Sequence, residues 1–108
     1  MQIDDFELNA QAQPRLRRAR RVAFDLMVRF RLWGERGTTV LEDMTPYGAR
    51  IARLNQVRIG DQITLQLPGL QPKTAEIAWI DGQAAGLEFD HPLHRRVFAQ
   101  LVRDYAQP

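Results

Sequence analysis

Arginine is concentrated near the start of the chain, where five arginines stand within seven residues in the stretch RLRRARR, Arg15 to Arg21. A guanidinium group can bind a phosphate or a base edge through two parallel hydrogen bonds, and it stacks on flat rings. The chain has 15 basic residues, and all but Lys73 are arginine. This bias favours shaped recognition of an anion, although a GC-rich genome produces it as well. Taken alone, the cluster fits a solvated basic arm better than a ligand site.

A second polar stretch, DMTPYG, extends from Asp43 to Gly48. Asp43 offers a carboxylate that can accept two N–H donors, Thr45 offers a hydroxyl, and Gly48 is a backbone position without a side chain. A carboxylate opposed to guanidinium groups suits guanine beside a phosphate. The carboxylate accepts from the Watson–Crick edge, while arginine reaches O6, N7 or phosphate oxygens. An ordinary turn between two strands is the alternative interpretation of this stretch.

Catalytic and metal-binding patterns are poor. His91 and His94 are three residues apart, but no Glu-x-x-His context and no cysteine accompanies them, so exposed or capping histidines are the better interpretation. The chain contains no serine and no cysteine, which excludes a serine nucleophile and a thiolate metal site. The stretches GERG and DGQAAG indicate turns between strands rather than a phosphate-binding loop. We therefore expect a protein that is not an enzyme and that has no catalytic residues, metal or cofactor.

Alternating apolar residues predict a mainly β chain. The longest run extends from Val22 to Leu32, where every second residue is apolar. After the turn GERG, Thr38 to Leu41 predict a hairpin partner, and EDMTPYG is expected to break the pattern. Four further short strands are predicted around alternating apolar residues: Ala49 and Ile51; Ile63, Leu65 and Leu67; Ile77 and Trp79, on one face; Leu87 and Phe89. We interpret Trp79 as packing rather than as a platform for a ligand.

The apolar period changes near the end of the chain, where the spacing becomes helical. An apolar stripe is formed by Leu93, Val97, Leu101 and Tyr105, with Phe98 and Val102 beside it. Pro92 suits the first helical turn, and Asp90 is the expected cap. Six strands and one helix predict a six-stranded antiparallel small barrel with a C-terminal α-helix.

The length of 108 residues suits one domain. Residues 1–14 have no period and are expected to form a mobile leader, so we assign the barrel and helix to residues 15–108. No apolar run approaches the roughly 20 residues that span a bilayer, and the acidic start lacks the apolar segment of a secretory signal. We expect a cytoplasmic protein without membrane insertion.

Together, the two polar stretches and the strands around them resemble the PilZ domain family. The pattern of that family is R-x-x-x-R followed, one hairpin later, by [D/N]-x-[S/T]-x-x-G on a six-stranded barrel. This chain has RRARR, Arg17 to Arg21, then 21 residues, then DMTPYG. The segments RVAFDLMVRF, GARI and AEIAWIDGQAAGLEF are similar as well, and the likeness covers about residues 15 to 105.

The resemblance implies binding of the bacterial second messenger cyclic di-GMP. By likeness, Arg17 and Arg21 would grip phosphates and guanines, and one guanine would be surrounded by Asp43, Thr45 and Gly48. The chain departs from the family at Thr45, where serine is commoner, and at its larger Pro46-Tyr47 pair. Tyr47 would stack on the ligand or simply cover the barrel. The additional candidates are Arg18, Arg20, Tyr47 and Arg50.

Three functional hypotheses remain open from the sequence. The first is a monomeric or weakly dimeric cyclic di-GMP receptor, which signals in trans to a partner protein when its arginine loop becomes ordered on the ligand. The second is a PilZ-like adaptor that docks a partner without binding a nucleotide. The third is a barrel that binds single-stranded nucleic acid. Asp43 and the net charge of only +2 argue against the third, so we expect no DNA or RNA partner.

Overall fold

The structure, a computed structural model, describes residues 20–52 and 54–108. Within these residues, six antiparallel strands close into a barrel in the order β1-β2-β3-β6-β5-β4, and one helix follows. The elements are β1 Val22–Leu32, β2 Glu35–Thr45, β3 Gly48–Ala52, β4 Gln62–Gln66, β5 Lys73–Asp81, β6 Ala84–Phe89 and α1 Arg95–Tyr105. The predicted fold class is confirmed. The predicted leader, residues 1–14, lies outside the described residues.

β1 and β2 form the long hairpin that the alternation predicts. Phe24, Val28 and Leu32 of β1 are buried in the barrel, and the residues between them face more towards solvent. The hairpin turns at Trp33 and Gly34, whose φ angles of 53° and 79° are both positive. Such φ angles are those of a type I′ turn, whose twist matches that of the two strands. β1 also pairs with β4 through residues 29–31, and this short ladder closes the barrel.

β2 is longer than predicted and includes the first half of DMTPYG. The strand ends at Thr45, and a two-residue turn of Pro46 and Tyr47 leads directly into β3. The Thr45 hydroxyl oxygen accepts the Tyr47 N–H at 3.0 Å. The Pro46 carbonyl accepts the Leu93 N–H at 2.8 Å. The Tyr47 carbonyl accepts the Phe89 N–H at 2.9 Å. The predicted break in the strand pattern is confined to this two-residue turn, because the proline occupies the turn and leaves the ladder intact.

One extra residue interrupts the regular pairing of β5 with β6. Ile77 lies opposite Leu87 and Trp79 lies opposite Gly86, so Ala78 forms a β-bulge. Ile77 is in the main core, whereas Trp79 belongs to a separate small cluster. The prediction that Ile77 and Trp79 share one face is wrong, because the bulge shifts the alternation of the strand by one residue.

The core extends from the barrel interior to the C-terminal helix. Leu93, just before α1, and Leu101, within it, belong to the same buried cluster as the inward residues of the strands. Tyr105, predicted on the same apolar stripe, is instead 42% exposed. After the helix the chain returns to β1, where Ala106 pairs with Phe24. The helix therefore covers the core with only part of the predicted stripe.

The start of α1 differs from the prediction. The helix begins at Arg95, and its N-cap is His94, whose Nδ1 accepts the Arg96 N–H at 3.0 Å. The predictions that Asp90 is the cap and that Pro92 lies in the first turn are wrong, because the segment between β6 and α1 is not helical. In the described part of the chain, no helix combines the length and the apolar character that a membrane span requires.

Candidate ligand-binding site

The candidate site lies on the outer surface of the barrel, where five strands bring one residue each into a row. Ala23 of β1 lies opposite Asp43 of β2, and Asp43 lies opposite Arg50 of β3. Arg50 lies opposite Gly86 of β6, which lies opposite Trp79 of β5. Side chains alternate between the two faces of a strand, and most chain neighbours of these residues belong to the core, so the row faces outwards. Strand pairing alone thus places a carboxylate beside a guanidinium group.

A bulge in β2 decides that Asp43 faces outwards. Between the pairs Leu41–Ile51 and Asp43–Arg50, β2 has one residue more than β3, and that residue is Glu42. In a regular strand, residues two apart face the same side. Here Leu41 is fully buried while Asp43 faces the outer surface. The bulge therefore converts a core position into a site position.

Thr45 and Gly48 lie beside this row at the β2–β3 turn. They are opposite each other, and Gly48 is in turn opposite Glu88 of β6. Thr45 is only 3% exposed, and its hydroxyl oxygen is fixed by the hydrogen bond from the Tyr47 N–H. The hydroxyl keeps its own O–H donor, which it can offer to a neighbour. The turn is thus a fixed edge of the site.

Asp43 is a half-buried carboxylate among charged neighbours. Burial is the largest influence on the pKa of Asp43 and raises it above the usual value for aspartate. Arg21 and, less strongly, Arg50 lower that pKa, and Glu42 raises it. Arg50 also forms an ion pair with Glu42, with 3.1 Å between Nε and Oε1. The carboxylate has lost part of its hydration, so N–H donors from a ligand would replace lost hydrogen bonds.

A shallow depression unites most of the residues that the sequence pointed to. Its lining comprises Arg21, Asp43, Thr45, Gly48, Ala49, Arg50, Trp79 and Leu87. Four predicted ligand residues and the additional candidate Arg50 are therefore neighbours in space. Arg20 is exposed and Tyr47 is half-buried, and neither lines the depression. Arg17 and Arg18 lie outside the described residues, and contact of any of these residues with a ligand stays a prediction.

Trp79 is the residue at this site that the sequence analysis missed. Its ring lies directly over Gly86, where a Cβ atom would collide with the indole atoms Cε2 and Nε1. Trp79 is 9% exposed, so it does pack, but on the outer surface and against a glycine. Gly86 lies inside β6, not in the turn predicted from DGQAAG. A glycine in the interior of a strand signals such a close approach.

The two histidines do not form a common site. His94 caps α1 through Nδ1, which is the capping role that the sequence suggested for one of them. His91 is exposed. Among residues 20–52 and 54–108, no group of three or more histidine, aspartate or glutamate side chains is placed to hold a metal ion.

Comparison with curated proteins found no match. The family model of the PilZ domain matches residues 15–107, which is nearly the whole chain. PilZ domains are binding and signalling modules rather than enzymes. The family is generally linked to cyclic di-GMP and to partner proteins. The match extends over all six strands and the helix, so the chain belongs to the PilZ domain family.

Proposed function

We propose that the chain binds cyclic di-GMP at the depression that contains Arg21, Asp43 and Trp79. The observation that carries this proposal is the position of the Asp43 carboxylate, which lies near two guanidinium groups on the outer surface of a PilZ barrel. Cyclic di-GMP has two phosphates and two guanines. A site for it needs cations and a hydrogen-bond acceptor close together, and this depression has both.

Asp43 would bind the Watson–Crick edge of one guanine. The two oxygens of an ionised carboxylate can accept two N–H donors at once. Because Asp43 is half-buried, these bonds would form in a partly water-excluded environment, where they are stronger than on an open surface. Thr45 would fix the edge of the site, and Gly48 would leave the base free to approach the backbone.

Arg21 and Arg50 would bind the phosphates and the remaining edge atoms of the base. Arg21 is exposed and the Arg50 side chain is 44% exposed, so both can turn towards a ligand. The Glu42 carboxylate holds Arg50 by its Nε and leaves the two terminal nitrogens as donors. Trp79 would supply a flat apolar wall next to these polar groups.

The second part of the proposal concerns the arginine stretch that precedes β1. Arg17, expected from the family pattern, would join Arg21, with Arg18 and Arg20 as supplementary cations, and the stretch would become ordered on the bound nucleotide. Ordering costs about 1–2 kcal/mol per residue, and charge-assisted hydrogen bonds to phosphate would offset that cost. The changed surface would then bind or release a partner protein, so that the signal acts in trans.

An adaptor that binds a partner without a nucleotide is the second candidate function. The observation that favours it is the exposure of two large apolar side chains on the β1–β2 hairpin, Met27 at 70% and Trp33 at 62%. This candidate predicts no response to cyclic di-GMP. It also predicts that Asp43→Ala leaves partner binding unchanged.

Titration calorimetry with cyclic di-GMP tests the proposal. We expect saturable binding to the wild type and a loss of about tenfold or more in affinity in Arg21→Ala and in Asp43→Ala, since each removes charge-assisted hydrogen bonds. Matched controls are Arg58→Ala and Asp81→Ala, which remove exposed charges that do not line the depression.

The outcomes separate the two candidate functions and also test the position of the site. Absence of binding heat with a protein shown to be folded by circular dichroism would reject the receptor and favour the adaptor. Binding that is unchanged in Arg21→Ala and Asp43→Ala would place the nucleotide elsewhere on the barrel. Equal weakening in the control variants would indicate an unspecific charge effect.

A further inference from the structure

A second cavity lies on the other side of the barrel, where β1 closes against β4. Its volume is about 310 Å³, and it is lined by Arg29, Phe30, Arg31, Arg36, Gly37, Thr64, Gln66 and Pro72. In the closed order of strands, the β1–β4 ladder is opposite the β3–β6 ladder that carries the Asp43 depression. The two sites share no lining residue. The cavity is therefore a separate feature of the molecule.

Strand register concentrates positive charge at this cavity. Arg31 of β1 lies opposite Arg36 of β2 and opposite Thr64 of β4. Arg29, two residues earlier on the same face of β1, lies opposite Gln66. Three guanidinium groups thus line an opening whose other polar side chains, a hydroxyl and an amide, are uncharged.

The described residues provide no carboxylate partner for this cluster. Across residues 20–52 and 54–108, no ion pair involves Arg29, Arg31 or Arg36. Like charges directly opposite each other on adjacent strands destabilise the pair. A local arrangement that lowers stability without an evident compensating contact is typical of a functional site, and a bound anion would offset this repulsion.

The apolar part of the cavity wall is small. Phe30 is among the lining residues, but it alternates with Arg29 and Arg31 on β1, so its ring points to the other face of the strand, where it packs against the core and Gly37. The apolar side chain beside the cations is that of Pro72, in the loop before β5. Pockets that combine an apolar wall with a few convergent polar groups suit small ligands. Here the wall lies directly beside the cations.

We propose that this cavity binds a compound in which a diphosphate group is attached to an apolar or flat organic part. Arg31 and Arg36 face each other at about 5 Å between Cβ atoms, and Arg29 is about 7 Å away along the strand. Their guanidinium groups can therefore converge on adjacent phosphates, with a further hydrogen bond from the Thr64 hydroxyl. The organic part of the ligand lies on Pro72. A soluble nucleoside diphosphate and a lipid headgroup share this chemistry, and this site does not depend on cyclic di-GMP binding.

Titration of the purified protein with inorganic pyrophosphate at low ionic strength tests the soluble form. We expect saturable binding to the wild type and about tenfold or more weaker binding in Arg31→Gln and in Arg36→Gln, because each variant loses charge-assisted hydrogen bonds. Arg58→Gln is the matched control for net charge and should bind as the wild type does. Equal weakening in this control would overturn the proposal.

Cosedimentation with phosphatidylcholine vesicles that contain cytidine diphosphate diacylglycerol tests the lipid form, with phosphatidylcholine vesicles alone as the reference. Binding to these vesicles that is lost in Arg36→Gln would assign the cavity to a lipid diphosphate. Binding to pyrophosphate alone would assign it to a soluble ligand. Binding to neither probe would overturn the proposal.

Two further measurements keep the result independent of folding and of the first site. Arg36→Gln removes one of two opposed charges, so its melting temperature without ligand should equal or exceed that of the wild type. A lower melting temperature would show a structural role for Arg36 and would overturn the proposal. Asp43→Ala should bind pyrophosphate as the wild type does. Loss of pyrophosphate binding in this variant would contradict the proposal of a separate cavity.

Discussion

The two outer faces of the barrel use arginine in different ways. At the Asp43 depression, Arg50 lies next to two carboxylates of β2, Glu42 and Asp43, and forms an ion pair with Glu42. At the β1–β4 cavity, Arg31 and Arg36 oppose each other beside uncharged groups. The first face offers both donors and acceptors, as a nucleobase next to a phosphate requires. The second offers three guanidinium groups and no carboxylate, so it selects for negative charge and the spacing of phosphates, not for a base edge.

The two faces surround their arginines with different neighbours because the strand register shifts by one residue at one face and stays regular at the other. The bulge at Glu42 brings Asp43 to the outer face beside Arg50. The regular pairing near the β1–β2 turn places Arg31 opposite Arg36 instead. Since side chains alternate, a one-residue shift in either segment would move its arginine to a different neighbour. Local irregularity thus produces the mixed site, and local regularity produces the cationic one.

Charge reversal at one arginine of each face should give the largest effect. Arg50→Glu is expected to weaken cyclic di-GMP binding about a hundredfold, because it places a like charge at the phosphates. It should leave pyrophosphate binding unchanged. Arg36→Glu should show the opposite pattern. Parallel titrations of both variants with both ligands measure this, and loss of both ligands in either variant would show that the faces are not independent.

Adding a methyl group under each aromatic ring compares the packing of Trp79 on Gly86 with that of Phe30 on Gly37. Gly86→Ala is expected to lower the free energy of unfolding by about 1–3 kcal/mol, because the new Cβ collides with the rigid indole of Trp79. Gly37→Ala meets only the far edge of the Phe30 ring and should cost less. Chemical denaturation of both variants measures the difference. An equal or larger loss in Gly37→Ala would contradict the closer packing at Trp79.

The β1–β2 turn, next to the second cavity, should gain stability from a single substitution. Trp33 has a φ angle of 53° and is 62% exposed, so it occupies a left-handed position with little packing. Trp33→Asn is expected to raise the free energy of unfolding by about 0.5–1 kcal/mol, since asparagine tolerates this conformation better. Thermal melting with Arg58→Ala as a reference surface variant checks the gain. A loss of stability would show that the indole makes a stabilising contact.

The smallest effect concerns the pH dependence of folding at Asp43. Its pKa is raised in the folded protein, chiefly by burial, so the ionised side chain lowers stability once the pH exceeds the pKa of the unfolded chain. Asp43→Asn should therefore be slightly more stable than the wild type at neutral pH. This advantage should disappear as the pH falls and the folded carboxyl group takes up its proton. Melting curves of the wild type and of Asp43→Asn across the acidic range check the sign.

Much of the fold could be predicted because the alternation in β1 is long and regular. Phe24, Val28 and Leu32 are buried as that pattern requires, and the helical spacing after β6 identifies α1. Boundaries were less accurate. The break predicted at Pro46 and Gly48 is only a two-residue hairpin turn, stabilised by hydrogen bonds from β6 and from the loop before α1. Those bonds come from residues distant in sequence, so no local pattern reveals them.

The candidate site was predicted in part for the same reason. Asp43, Thr45 and Gly48 share one short stretch, and the motif indicated that they would lie together. Trp79 was assigned to the wrong face, because the bulge at Ala78 depends on pairing with β6. The cavity at β1–β4 was not predicted at all. This cavity forms only when β1 pairs with β4, which is three strands later in the sequence.

The return of the chain to β1 after the helix also has a kinetic consequence. Gln107 donates its N–H to the Ala23 carbonyl at 3.0 Å, and Ala106 pairs with Phe24, so the last residues of the chain complete the hydrogen bonding of the first strand. Contacts between such distant parts of a sequence slow folding, because loop closure must precede them. During synthesis, the Ala23 carbonyl can accept this hydrogen bond only after residue 107 has left the ribosome. Among the described strands, β1, whose Ala23 lies opposite Asp43, is therefore synthesised first and completes its hydrogen bonds last.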